Sequence, residues 1–141
     1  MTDSLDAPGR LAVIGATGRV GTEVARDFAQ RGWSLELTAR RIDRLDGLIS
    51  ELQSLGTSTS VRGHRLDFED GASISGFVQA VGTHPLDALV VAGSPFEEQP
   101  LEESTIEDFS RQTAAQVGGP TMIVSGLRRA LEQSGAPGGP A

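Results

Sequence analysis

The sequence predicts an α/β fold in which helices cover both faces of a parallel sheet. Short apolar segments alternate with amphipathic helical segments, and a glycine-rich turn joins the first segment of each kind. The 141 residues suit one domain, and 38% of them are apolar, which is enough for a packed core. The expected order β-α-β-α-β-α-β-α, with right-handed crossovers, gives a doubly wound sheet of order 3-2-1-4, truncated after about four strands.

The first β-α-β unit is the clearest part of the pattern. The apolar run 11–15 (LAVIG) predicts a strand that is buried on both faces. Apolar residues at helical spacing over 20–28 predict a helix, and Arg31 and Gly32 predict its end. Residues 33–39 (WSLELTA) alternate and are rich in strand-forming types, so they predict the second strand.

Two further helix–strand pairs follow. A leucine-rich helical stripe over 45–55 precedes a predicted third strand at 61–66. A second stripe over 74–81 precedes a mostly apolar fourth strand at 86–92. This alternation is typical of a parallel sheet.

The last predicted helix begins near residue 104 and runs toward Gln133. The segment from Ser104 to Glu107 has the spacing of a capping box, in which each side chain satisfies a free N–H at the helix start. Pro120, after two glycines, is expected to kink or split the helix because proline lacks a backbone donor.

Several residue types are absent from the chain. There is no Cys, Tyr, Lys or Asn, and all twelve basic residues are Arg. The lack of Cys excludes disulfides, thiolate metal sites and a Cys nucleophile. His64 and His84 do not have the spacing of metal ligands. The chain also contains no G-x-S-x-G motif, which argues against a hydrolase triad. We therefore predict no metal site and expect both histidines to be structural or solvated.

The net charge of −7 argues against nucleic acid and anionic membrane surfaces, since both require a basic face. No apolar run approaches the ~20 residues of a membrane span, and the first ten residues lack the apolar segment of a secretory signal. We expect a cytoplasmic protein with one folded domain at 10–133. We also expect a flexible N-terminus at 1–9 and a disordered Gly/Pro-rich tail at 134–141.

A glycine-rich motif of the form G-x-x-G-x-x-G follows the first predicted strand, with glycines at Gly15, Gly18 and Gly21. A strand before the motif and a helix after it are the context in which such a loop binds a dinucleotide. The glycines allow a tight turn, a close approach of backbone to the pyrophosphate, and close helix–strand packing. The pyrophosphate then lies at the helix N-terminus, where free N–H groups favour an anion. The alternative is a plain β-α turn.

The end of the second predicted strand distinguishes the two dinucleotides. NAD-binding units place an acid about 20 residues beyond the loop, whereas this chain has Arg40 and Arg41 there. Guanidinium groups hold a 2′-phosphate through paired hydrogen bonds, so we predict NADP(H) as the cofactor and disfavour NAD(H). Arg19, inside the loop, is expected to add charge to the same phosphate. The alternative for the pair is a solvated surface position.

The carboxyl ends of the third and fourth strands supply further candidates, because ligands of a doubly wound sheet bind at that edge. Asp67 is expected to accept a hydrogen bond from the adenine amino group. The segment Ala92-Gly93-Ser94 is expected to bring backbone close to the ribose. The alternative for both is a plain turn. Neighbours of these motifs complete the predicted contacts: Thr17, Val20 and Phe68.

These motifs resemble the N-terminal portion of a short-chain dehydrogenase/reductase over about residues 10–133. The matching segments are GATGRVG, TARR, LDFED, PLDALVVAGS and IEDFSRQTAAQVGGP. The resemblance implies a nicotinamide dinucleotide held by the loop glycines, with Arg40 selecting NADP and Asp67 near the adenine. It also implies hydride transfer between the nicotinamide and a carbonyl or alcohol carbon.

The chain departs from the family pattern where catalysis is concerned. Val91 stands where the family usually has Asn, and Gln116 matches the Asn that assists the family's proton relay. The family's catalytic Ser and Tyr-x-x-x-Lys pair lie beyond the last residue, and the chain has no Tyr or Lys. We therefore expect this chain alone to be inactive. It is either the cofactor-binding half of an oxidoreductase or a non-catalytic NADP(H)-binding sensor or interaction module.

The predicted sheet ends at an apolar fourth strand. An unprotected edge strand recruits another chain, and the last helix would lack part of the sheet against which it packs. We expect marginal stability, or association through the fourth-strand edge and the last helix. The partner would be a second copy or a completing polypeptide.

Overall fold

Strands and helices alternate along the chain, as the sequence predicts. The computed structural model describes residues 7–57, 60–93 and 98–134. Its strands are β1 (Arg10–Ile14), β2 (Ser34–Ala39), β3 (Val61–Arg65) and β4 (Ala88–Val91). Its α-helices are α1 (Arg19–Gln30), α2 (Asp46–Ser54), α3 (Gly71–Val81), α4 (Ile106–Thr113) and α5 (Gly119–Glu132).

The four strands form one parallel sheet of order β3-β2-β1-β4, which confirms the predicted topology. Val13 in the central strand lies opposite Leu37 of β2 and Val90 of β4. Thr38 of β2 lies opposite His64 of β3. Because the strands are parallel and closely in register, their carboxyl ends meet along one edge of the sheet, where a doubly wound fold binds its ligand.

Alternate residues of β1 are buried on opposite faces of the sheet, and each face has its own apolar core. Leu11 and Val13 belong to the core beneath α1 and α2. Ala12 and Ile14 belong to the core beneath α3 and α5, together with Phe77. Helix cover on both faces explains why 11–15 reads as a continuous apolar run and not as an alternating one.

Strand β4 is shorter than the predicted 86–92. Leu86 is fully buried, but its N–H donates to the carbonyl of Ala130 in α5 and not to a neighbouring strand (2.9 Å). Pairing with β1 begins at Ala88 and ends at Val91. The apolar character of Leu86 therefore reflects packing against α5. An apolar sequence pattern alone does not distinguish such a residue from a residue of the strand.

The cap of α4 lies one residue later than predicted. Thr105 Oγ1 accepts a hydrogen bond from the Asp108 N–H, and the Asp108 carboxylate accepts one from the Thr105 N–H (3.2 and 2.8 Å). Hydrogen bonds from the Thr105 backbone and hydroxyl lower the pKa of Asp108 to about 2. The expected Ser104–Glu107 box is wrong because the Ser104 hydroxyl instead donates to the carbonyl of Pro100.

The last helix is interrupted, as predicted. A single π-helical segment, Ala114–Gly118, separates α4 from α5. The backbone stays helical through this segment, and Pro120, which lacks an N–H, directly follows it in the first turn of α5. At the same point a Cβ on Gly119 would overlap the ring of Phe68. The start of α5 is therefore packed directly against the segment that follows β3.

A buried ionic cluster lies between the sheet and α3, and the sequence did not predict it. Glu36 on β2 is only 5% exposed, and its carboxylate contacts Arg10, Arg62 and His64. The His64 ring also packs edge-on against Phe77. His64 is therefore structural, one of its two expected roles, and His84 is exposed in the loop before β4.

Candidate cofactor-binding site

The turn after β1 is built around close backbone contact with the turn after β4. Gly15 has a φ of +81°, which L side chains rarely adopt. A Cβ at Gly15 would lie 2.7 Å from the Cα of Gly93. The two glycines therefore let both loops meet at the carboxyl edge of the sheet, and the structure brings these two predicted segments together.

Thr38, near the carboxyl end of β2, holds the turn after β1 from the other side. Its Oγ1 accepts a hydrogen bond from the Gly15 N–H (3.2 Å), and its carbonyl accepts one from the Ala16 N–H (2.9 Å). Thr38 is 1% exposed, so these bonds are shielded from water. Thr38 was not among the predicted site residues. A polar residue near the end of a buried strand is the feature that could have identified it.

Gly21 sits in the first turn of α1, directly against the loop. A Cβ there would overlap the carbonyl oxygen of Gly15, so the helix passes too close for any side chain. The Thr22 hydroxyl adds a hydrogen bond to the carbonyl of Ala16 (2.8 Å). This is the packing role that the sequence predicts for the third glycine.

Gly18 is the N-cap of α1 and leaves the helix start uncovered. It makes no side-chain cap, and the first turn holds no acidic residue. A Cβ on Gly18 would contact only the carbonyl oxygen of Gly15, at 3.5 Å. Free N–H groups and the helix dipole at such an end favour an anion. The loop thus meets the geometric requirements of a pyrophosphate cradle.

A cavity of about 190 Å³ opens beside this loop, at the carboxyl ends of the strands. We call it the loop cavity. Six of its lining residues are predicted site residues: Gly15, Thr17, Gly18, Arg40, Phe68 and Gly93. The others are Ile14, Thr38, Ala39 and Leu66. Its mostly apolar wall with a few polar groups is typical of a small-molecule site.

A second cavity, of about 450 Å³, adjoins the loop cavity and shares three lining residues with it: Thr17, Ala39 and Arg40. We call it the arginine cavity. Its remaining lining residues are Arg41, Arg44 and Asp67. Three guanidinium groups against one carboxylate make this cavity a site for an anion. Arg44 is an addition to the predicted set, brought there by a 3₁₀ turn at Ile42–Leu45.

Asp67 both lines the arginine cavity and closes the turn after β3. Its Oδ1 accepts a hydrogen bond from the Glu69 N–H (2.9 Å), and its own N–H donates to Ser73 Oγ (2.9 Å). Oδ2 lies 3.9 Å from a guanidinium nitrogen of Arg65. The turn role and the predicted position at the site are therefore both compatible with this carboxylate.

Some predicted residues line neither cavity. Arg19 and Val20 lie exposed in the first turn of α1, and the Ala92 N–H donates to the carbonyl of Ile14 (2.8 Å). Gln116 lies in the π-helical segment, lines a separate surface cavity on α4, and donates to the side chain of Gln112. Ser94 lies outside the described residues.

Comparison with known proteins gives consistent matches. The profile of the family described as short chain dehydrogenase matches residues 10–138. Sulfoacetaldehyde reductase 2 from Chromohalobacter salexigens is 30% identical over 128 residues, 88% of this chain and 49% of that protein. Highly-reducing polyketide synthase 1 from Aureobasidium melanogenum is 31% identical over 112 residues, 76% of this chain and 5% of that protein.

Solved structures show the same similarity. An alcohol dehydrogenase from the archaeon Thermococcus sibiricus, in complex with 5-hydroxy-NADP, superposes with a TM-score of 0.77 at 30% identity. The match covers 91% of this chain and 55% of the dehydrogenase. The chain thus spans about half the length of this dehydrogenase and of the sulfoacetaldehyde reductase, and a small part of the polyketide synthase.

Proposed function

The chain belongs to the short-chain dehydrogenase family, and from this premise we propose that it binds NADP(H) as the cofactor-binding part of an oxidoreductase. The substrate class is carbonyl and alcohol groups. The observation that carries the proposal is the arginine cavity beside an uncapped helix N-terminus. The Thermococcus relative in complex with 5-hydroxy-NADP supports the choice of cofactor.

The residues of the site divide between the parts of the dinucleotide. The N–H groups in the first turn of α1, from Arg19 onward, bind the pyrophosphate. Arg40 and its neighbours bind the 2′-phosphate, because guanidinium groups pair with phosphate oxygens. Asp67 and Phe68 contact the adenine, and the backbone at Gly93 lies against the ribose. When bound, the cofactor supplies or accepts the hydride of the reaction.

A calorimetric titration of the chain with NADPH tests this proposal. Saturable one-to-one binding is expected in the wild type. The test variant is Gly18→Val. Its branched side chain covers the N-terminus of α1 and is expected to weaken NADPH binding by about tenfold or more. Absence of binding in the wild type would overturn the proposal, as would unchanged binding in folded Gly18→Val.

The second candidate is an NADP(H)-binding module that acts as a sensor or interaction domain without turnover. The observation that favours it is the lack of any Tyr or Lys, the family's acid/base pair, among the 141 residues. An assay of NADPH oxidation against a panel of ketones and aldehydes separates the two. Turnover by the chain on its own would exclude the non-catalytic module.

We also propose association through the edge of β4 and the outer face of α5, in a cytoplasmic protein. Val91 ends the edge strand and is 41% exposed, and Met122 on α5 is 60% exposed. Exposed apolar side chains beside an open sheet edge are typical of a surface that pairs with another chain. Within residues 7–57, 60–93 and 98–134, no helix is long and apolar enough to cross a membrane.

A further inference from the structure

Two glycines on α5 let that helix pack closely against its neighbours. A Cβ on Gly119, at the start of the helix, would lie 2.4 Å from Cδ1 and 2.8 Å from Cγ of Phe68. A Cβ on Gly126, two turns later, would lie 2.7 Å from a methyl carbon of Val78 on α3. Gly119 has a φ of −58° and a ψ of −56°, a helical backbone that any residue adopts. The need for glycine at position 119 therefore comes from the ring of Phe68.

The preceding glycine, Gly118, has the same backbone conformation and a different surrounding. Its φ is −62° and its ψ is −53°, and it is exposed at the end of the π-helical segment. Outside the adjacent backbone, a Cβ there would meet one atom of the described residues, the carbonyl oxygen of Thr113 at 4.0 Å. A methyl group would thus enter open space at position 118 and an aromatic ring at position 119.

The Phe68 side chain connects α5 with the loop cavity. It packs against the core beneath α3 and α5, and it also lines the cavity together with Ile14 and Leu66. Because protein interiors are closely packed, a ring pushed away from α5 has no empty space in the core to enter. The displacement then changes the cavity wall. The close approach of α5 at Gly119 therefore determines where this part of the wall lies.

We propose that Gly119 is a positioning residue for dinucleotide binding. By letting the ring of Phe68 lie directly against α5, it fixes the part of the loop cavity that contacts the adenine. This inference rests on the proposed function, in which Phe68 contacts that base. Since NADPH and NADH share the adenine, Gly119 affects both cofactors alike and leaves the preference between them unchanged.

The test compares one substitution at three glycines: Gly119→Ala, Gly118→Ala and Gly126→Ala. Calorimetric titrations use NADPH, NADH and 5′-AMP, which all carry the adenine. Gly119→Ala is expected to weaken all three by about fivefold or more, because the methyl group displaces the ring. The ratio of NADPH to NADH affinity should stay within about twofold of the wild type. Gly118→Ala should bind each ligand within about twofold of the wild type, since its methyl group meets open space.

Gly126→Ala controls for tight packing alone. Its methyl group also meets a packed side chain, but Val78 lines neither the loop cavity nor the arginine cavity. Whatever its effect on the midpoint of thermal unfolding, its affinity for the three ligands should stay within about twofold of the wild type. Equal losses of affinity in Gly119→Ala and Gly126→Ala would overturn the proposal.

Removal of the ring tests whether Gly119 acts through Phe68. Phe68→Ala alone is expected to weaken NADPH by about fivefold or more, because the wall is lost. Adding Gly119→Ala to it should cost less than about twofold more, since the ring atoms nearest the methyl group are then absent. A further loss as large as in the wild-type background would overturn the proposal. If Gly119→Ala does not fold on its own, the double variant should still fold, and its failure to fold would overturn the proposal equally.

The outcomes separate this inference from the proposed function. If the wild type binds NADPH and Gly119→Ala binds it equally tightly, the role of Gly119 is wrong and the cofactor assignment stands. If the wild type prefers NADH but Gly119→Ala weakens both cofactors alike, the choice of NADP(H) is wrong and the role of Gly119 stands. If the wild type binds none of the three ligands, both proposals are wrong.

Discussion

At the scale of single residues, the three loop glycines have different physical reasons for being glycine. Gly15 needs its positive φ and its contact with Gly93, and Gly21 needs the space that the Gly15 carbonyl occupies. Gly18 has a φ of −76° and a ψ of 170°, which any residue adopts, and open space on most sides. The first and third glycines are therefore required by the fold, whereas the second is not, which is consistent with the proposed approach of the pyrophosphate at Gly18.

This difference predicts that alanine substitutions at Gly21 and Gly18 change the free energy of unfolding by unequal amounts. Gly21→Ala is expected to destabilise the fold by about 2 kcal/mol or more, because backbone must move to admit the methyl group. Gly18→Ala should change stability by less than about 1 kcal/mol, since its contact at 3.5 Å is an ordinary one. Urea unfolding of the two variants measures this, and equal losses at both positions would contradict it.

Among the described residues, Glu36 is the one charged residue that is buried. Burial alone would raise its pKa, but hydrogen bonds and charge from His64, Arg62 and Arg10 outweigh burial, and the pKa lies below its ordinary value of 4.5. The stabilisation from this carboxylate is present above that ordinary value. It is lost as the pH falls through the lowered folded-state pKa.

Glu36→Gln tests this dependence on pH. At pH 7 the variant is expected to lose about 2 kcal/mol of unfolding free energy, because Arg10 and Arg62 then face a neutral side chain. Below about pH 4.5 the difference from wild type should shrink, since Glu36 of the unfolded wild-type chain then takes up a proton, and the loss is complete only below the lowered folded-state pKa. A difference that stays constant between pH 7 and pH 3 would contradict the account.

At the scale of elements, α4 depends on its cap more than on packing. None of its residues is buried, so the reciprocal pair Thr105 and Asp108 supplies much of its local stability. The helix must nevertheless stay in place, because the π-helical segment continues from it toward α5, whose first turn packs on Phe68.

Thr105→Ala is expected to destabilise the protein by about 1 kcal/mol, as loss of an N-cap usually does. Ser104→Ala is the control: its hydroxyl bonds only to side chains and backbone before the helix, so it should cost about half as much or less. Denaturant unfolding followed by circular dichroism measures both. The larger loss at Ser104 would indicate that the helix begins one residue earlier.

The same elements show what sequence patterns can and cannot predict. Apolar periodicity located all four strands, because helix cover on both faces imposes it along the chain. It predicted too long a strand for β4, because the apolar residue Leu86 packs against α5 and does not pair with a strand. The ionic cluster could not be predicted, because Glu36 and His64 meet only through pairing of β2 with β3. Arg44 was missed because a 3₁₀ turn, and not the strand end itself, carries it to the cavity.

At the scale of the whole molecule, helices cover both faces of the sheet, and β4 is an edge strand among the described residues. Met122 and Val124 on α5 are 60% and 48% exposed, on the helix that packs in the same core as Leu86 and Leu89, beside β4. We propose that these exposed apolar side chains and the edge of β4 contact another chain.

Association through this face is expected to depend on concentration. Sedimentation velocity should show the wild type forming dimers, and the double variant Met122→Glu/Val124→Glu shifting toward monomer. The folded state itself should survive, because both side chains are already exposed. A wild type that stays monomeric at every concentration would refute this use of the α5 face.

We propose that this family member binds the phosphorylated dinucleotide at its arginine cavity. The ratio of the dissociation constants of NADPH and NADH for the wild-type chain, measured in the same buffer, tests it most directly. We expect NADPH to bind at least about tenfold more tightly, because the two cofactors differ only in a 2′-phosphate, a group with which guanidinium groups pair. Equal affinities, or a preference for NADH, would contradict it.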